Sequence, residues 1–174
     1  MENQSVEIRN MHVPRWSELP DIDLYMDQVL SYINGKLEPL KMEDKPILTS
    51  SMVNNYVKSS IVQRPEKKHY RKYHVAFLFV VVLMKWCFSL GEISDLIAIY
   101  SDLQDPDRLS HDYDKFVSSF ESCLKEIFDT GNIEQKFFED ATDRQQLMTN
   151  VIRAVTAKIY VQSRIRSMKP QQKQ

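Results

Sequence analysis

LTSSMVNNYVKSSIVQRPEKKHYRKYHVAFLFVVVLMKWCFSLGEISDLI, residues 48–97, is the stretch on which the fold turns. Thr49 is placed to cap a short helix that ends near Ser59 or Ser60. At about 100° per residue, Met52, Val53, Tyr56 and Val57 fall on one side of that helix, and Ser51, Asn54, Asn55 and Lys58 on the other. The polar side carries hydroxyl, carboxamide and ammonium groups and no acid. Next, Ile61 and Val62 are expected to pair across a short turn with His69 and Tyr70 as a small β-ribbon. A helix from about Arg71 to Trp86 follows, apolar on every side from Val75 to Met84, which marks it as central. Ser89 and Glu92 then form a capping box for a helix running to about Tyr100.

Working outward, a helix is expected from near Asp21, with Ile22, Tyr25, Met26, Val29, Leu30 and Ile33 as its stripe and Asn34-Gly35 as its stop. Residues 1–15 show no periodicity, and Arg15, Trp16 and Leu19 read as an extended surface segment between Pro14 and Pro20. Beyond Tyr100, Pro106 is expected in an acidic loop. A fifth helix is read from Tyr113, Phe116, Val117, Phe120, Leu124, Ile127 and Phe128, with Gly131 as its end. A sixth uses Leu147, Met148, Val151, Ile152, Val155 and Ile159, and runs to about Arg166. The polar tail from Met168 carries no packing signal.

The 174 residues have a formal net charge of -1, with 43% hydrophobic and 27% charged residues, which excludes a disordered, collagen-like or coiled-coil chain. That near-zero charge hides three blocks of different sign. Lys58 to Lys72 holds six bases against Glu66; Glu92 to Arg144 holds fourteen acids against five bases; Gln145 to the end holds six bases and no acid. Such sorting bears on partners more than the total does. The apolar run Val75 to Met84 is well short of the roughly 20 residues of a spanning helix, so no membrane role is expected. Two cysteines, Cys87 and Cys123, make no disulfide framework, and no leader pattern opens the chain; both point to the cytoplasm.

With three glycines there is no glycine-rich phosphate loop or dinucleotide fingerprint. The histidines and cysteines lack the spacing of a zinc site. The expectation is therefore no catalytic residue, no metal and no cofactor. What remains is a polar helix followed by a basic ribbon, the order of parts in a winged helix-turn-helix. Asn can bond adenine and Lys can reach guanine or phosphate in the major groove, while a basic ribbon neutralises backbone phosphates.

Residues 48–97 resemble the helix-turn-helix and wing of MerR-type transcriptional regulators, with Asn54-Asn55-Tyr56 to Ile61-Val62 at the recognition helix and its exit. His69-Tyr70 stands at the wing's return, Phe88 to Ile93 at the next capped helix, and Ser60 where that pattern has Gly. Including Leu19-Pro20-Asp21-Ile22 and Tyr25 to Val29, the chain is similar to a bacterial family catalogued as domain of unknown function 1836. The resemblance implies a mainly α fold: an N-terminal extension (1–16), a MerR-like winged helix-turn-helix with a β-ribbon wing (17–100), a helical C-terminal region (101–167) and a tail (168–174). It implies a transcriptional regulator that binds double-stranded DNA as a homodimer. Ser51, Asn54, Asn55 and Lys58 are then candidates for reading bases, and Arg64, Lys67, Lys68, Arg71 and Lys72 for holding the DNA backbone. The rival reading is a non-catalytic protein-interaction module, in which the acidic block meets a basic partner and the apolar stripes of the last two helices serve partly as a subunit interface.

Overall fold

A helix without a polar face has to be covered all round, and the computed structural model is arranged to do so. It describes residues 2–100, 106–134 and 136–168. Among these are seven α-helices: α1 (Glu2–Arg9), α2 (Met26–Lys36), α3 (Ser50–Lys58), α4 (Lys72–Met84), α5 (Leu90–Tyr100), α6 (Pro106–Thr130) and α7 (Asp143–Met168). Single 3-10 turns lie at Trp16–Glu18 and Glu38–Leu40. Nearly all of α4 is buried, including Val75, Leu78, Phe79, Val81 and Leu83, and α2, α6 and α7 pack against it. One continuous apolar core runs from Ile8 in α1 to Ile159 in α7. Phe116, Phe120, Val151, Ile152 and Ile159 are buried in it, so these parts of the late apolar stripes are core and not subunit interface. No helix is long and apolar enough to cross a membrane among the described residues.

The expected β-ribbon wing does not form: no strand occurs among the described residues, only the single bridges Leu24↔Tyr70 and Glu66↔His69. The backbone groups it needed are bonded elsewhere. The N–H groups of Ile61 and Val62 both donate to the carbonyl of Tyr56, at 3.0 and 3.2 Å, closing the end of α3. Tyr70 exchanges both of its bonds with Leu24, at 2.8 and 2.9 Å. Arg71 N–H donates to Nδ1 of His74 at 2.9 Å, and Pro65 has no N–H at all. A ladder that loses its donors this way stops after one rung. Ser60, with φ of 57°, takes the left-handed conformation that glycine adopts most easily.

The N-terminal segment is not an extended surface strip. Residues 2–9 are helical, and Ile8, Met11, Val13 and Leu19 are buried. Acids of α6 hold the segment down. Glu121 accepts from Val13 N–H at 2.7 Å and from Arg15 Nη1 at 2.8 Å; Asp114 accepts from Trp16 N–H at 2.6 Å. The hydroxyl of Tyr113 donates to the carbonyl of Pro14 at 2.8 Å, and burial pushes that phenol's pKa up. Periodicity missed this contact because it is made chiefly by groups that bond backbone, not by a stripe.

Other boundaries shift by local causes. α2 begins at Met26, leaving Ile22 and Tyr25 exposed, because Leu24 before it is engaged with Tyr70. It continues through Asn34-Gly35 to Lys36, since the Asn34 amide is used sideways: Nδ2 donates to the carbonyls of Leu30 (2.8 Å) and Leu48 (2.9 Å), and Oδ1 accepts from Leu48 N–H at 2.9 Å. Pro106 is not in a loop but opens α6, where its missing N–H is no loss. The Ser89–Glu92 capping box is present, at 2.7 and 3.3 Å, and Gly131, with φ of 80°, ends α6. The part of the tail beyond Met168 lies outside the described residues.

Two outcomes test these anchors. Asn34→Ala strips both partners from the Leu48 backbone and should cost about 1–3 kcal/mol in urea unfolding; a cost near zero would show the amide to be dispensable. Burial, followed by the charge of Arg71, lowers the His74 pKa from 6.5 to about 4. Below pH 6.5 the unfolded chain therefore binds a proton that the folded chain refuses, so stability is full above that pH and declines as pH falls towards 4. The loss should be about 2–3 kcal/mol, and His74→Gln should remove that part of the slope between pH 7 and 4.5. Equal slopes for the two proteins would contradict the assignment.

Candidate nucleic-acid interface

α3 is built to show one face. Thr49 caps it, its Oγ1 accepting from Met52 N–H at 3.3 Å, and the Asn34 clamp on Leu48 fixes the residue before that cap. Val53 and Tyr56 are buried and Met52 and Val57 half-buried, while Ser51, Asn54, Asn55 and Lys58 are exposed. No acid lies in the helix.

The segment after α3 folds back beside it. Asn54 and Lys58 of the helix and Arg64 of the segment line one groove of about 680 Å³, floored by Val57, Val62 and Tyr70, and no acid is among its lining residues. Ser51, Asn55, Lys67 and Lys68 lie outside that groove. Lys67 and Lys68 form the middle of a tight turn closed by His69 N–H donating to the carbonyl of Glu66 at 2.8 Å. Their φ values are 48° and 67°, the mark of a type I′ turn, whose usual occupants are Asn-Gly. Two lysines there hold strained backbone and carry their ammonium groups into solvent.

Not every base is available. Arg71 donates from Nη2 to Glu66 at 2.7 Å and lies 3.9 Å from Asp23. Lys72, half-buried, is 3.9 Å from Asp21 and 5.8 Å from the centre of the Trp16 ring. Lys58, Arg64, Lys67 and Lys68 have no carboxylate partner among the described residues. Three acids of α6 are engaged elsewhere: Asp114 and Glu121 hold the N-terminal segment, and Asp129 accepts from Arg9 Nη2 at 2.9 Å.

Sequence reasoning missed the role of Asn34 in placing this face. Asn34 was read as a helix stop; His74 caps α4 from inside the helix. The His69 ring stacks at a tilt on Tyr25, 4.8 Å between centres. Among the described residues no cluster of three or more His, Cys, Asp or Glu is arranged to hold a metal. Cys87 is exposed; burial pushes the Cys123 thiol up to about 12.

The sequence model of the family described as Domain of unknown function (DUF1836) matches residues 14–116, and the chain belongs to that family. The further likeness to MerR-type regulators, which rested on a wing, finds no support in the fold. No curated protein and no solved structure matches the chain.

The strained turn supplies its own test. Replacing Lys67-Lys68 by Asn-Gly should relieve the left-handed cost and stabilise the protein by about 1–2 kcal/mol, read as a raised urea midpoint. A lowered midpoint would mean that the lysine side chains stabilise the fold by packing.

Proposed function

We propose that this member of the family binds double-stranded DNA as a cytoplasmic transcriptional regulator. The observation that carries the reading is the acid-free groove where Asn54 and Lys58 meet Arg64, flanked by the Lys67-Lys68 turn. In this reading α3 enters the major groove, and Ser51, Asn54, Asn55 and Lys58 contact base edges or flanking phosphates. Arg64, Lys67 and Lys68 neutralise phosphates from an irregular loop, with Arg71 and Lys72 behind them, partly satisfied by their own carboxylates.

A homodimer completes the proposal, because one small module rarely gives enough affinity and a two-fold pair reads a palindrome. Exposed apolar side chains on α7 support it. Val161, Ile165 and Met168 fall on one stripe of α7 and are 48%, 51% and 67% exposed; α1, which exposes Val6, approaches α7 at Ser5 and Ser163, 3.4 Å apart. Free cysteines accord with a reducing compartment. The rival, a protein-interaction module, loses part of its ground because Asp114, Glu121 and Asp129 are occupied within the chain.

The experiment is selection from a random duplex pool at two salt concentrations, with the bound DNA sequenced. Salt-dependent binding with an enriched palindrome is expected. Lys67→Ala with Lys68→Ala should flatten the salt slope by roughly 1–2, whereas Asn55→Ala should cost about 1–3 kcal/mol on the enriched site and little on random DNA. No binding at low salt would overturn the proposal in favour of a protein partner.

A further inference from the structure

A second feature lies in a different part of the molecule, where α4, α5, α6 and the first turns of α7 leave a cavity of about 510 Å³. That volume falls within the roughly 300–1,000 Å³ of small-molecule sites. Its walls are mostly hydrocarbon, with Phe77 and Val80 from α4, Leu96 from α5, Phe116 from α6, Phe137 and Met148 among them. Ser119, with Thr149, is a buried polar residue on the wall. It is 5% exposed and lines the cavity.

The charges at the cavity are sorted against their surroundings. The segment Glu92 to Arg144 has fourteen acids and five bases. Three of those five bases, Arg108, Lys115 and Arg144, line the cavity, and Asp112 is the only acid to do so among the described side chains. Asp112 is matched by Arg108 at 3.6 Å. Lys115 and Arg144 are instead held by rings: Lys115 Nζ is 4.8 Å from the centre of Phe138, and the Arg144 guanidinium is 5.2 Å from that of Tyr100. Neither has a carboxylate partner among the described residues. An apolar cavity edged by two cations without anions is complementary to an amphipathic anion.

We propose that this cavity binds a small organic monocarboxylate, its apolar body between α4 and α6 and its carboxylate on Lys115 and Arg144. Binding involves no covalent step, and it is independent of whether the protein binds DNA. Calorimetric titration of the whole chain with decanoate, and with 1-decanol as the neutral counterpart, tests both halves of the claim. Decanoate should bind one site roughly tenfold tighter than decanol, as expected for a charge-assisted pair. Lys115→Met with Arg144→Met, two substitutions at the cavity edge, should reduce decanoate to the affinity of decanol and leave decanol unchanged, with the circular-dichroism melt as the control for folding. Val80→Trp, which fills the cavity from its wall, should abolish both. The proposal is overturned if decanoate gives no saturable binding up to about 1 mM, if decanol binds as tightly, or if the double variant binds decanoate like the parent.

Discussion

The whole arrangement depends on α4, a helix that has no side to give to water. Burying a large aliphatic or aromatic side chain contributes about 1.5–3 kcal/mol, and α4 has such residues at nearly every position from Val75 to Met84. No amphipathic neighbour can cover it alone, so α2, α6 and α7 each present their own stripe to it. The remaining parts follow from where those covers end. α3 is held at the edge of this assembly through α2, and its polar face is outward because its apolar face is the buried one.

Polar groups then fix what packing leaves loose. Asn34 bonds both backbone groups of Leu48, as a neighbouring strand would, and sets the start of α3. Tyr70 does the same with Leu24 and sets the approach to α4. His74 closes the first turn of α4 on Arg71 and can do so only while neutral, which is why its depressed pKa is a structural property. The Tyr70 bonds, with those from Ile61 and Val62 to Tyr56, take backbone groups that the expected β-ribbon would have used. A chain cannot spend the same N–H twice, so anchoring the loop at Leu24, Tyr56 and His74 excludes a wing built from the same residues.

The helices were legible in the sequence wherever a single rule sufficed. Thr49 as cap, the two faces of α3, the all-apolar α4, the Ser89–Glu92 box and the Gly131 stop each state themselves within a few residues. What was not legible depended on partners distant in the chain. The helical, buried N-terminal segment owes its place to Glu121 and Asp114, about a hundred residues on, and no local pattern announces that. The ribbon was misread for the complementary reason: Ile61, Val62, His69 and Tyr70 have strand-forming side chains, but their backbone groups had other partners. Of the basic candidates, composition could not separate Lys67 and Lys68, which have no carboxylate partner among the described residues, from Arg71, which has one.

Charge placement shows the same division between local and distant. A chain of net charge -1 has enough acids to neutralise every base, yet the fold does not use them that way. Acids of α6 are drawn to Arg9, Arg15 and the backbone of the N-terminal segment, where they hold structure together. Among the described residues, bases without carboxylate partners include those beside α3 and those at the edge of the cavity between α4 and α6. Solvent-exposed ion pairs stabilise by less than about 1 kcal/mol, so leaving these bases unpaired costs the fold little. The same cations keep an electrostatic attraction for an approaching anion, and both proposals rest on that.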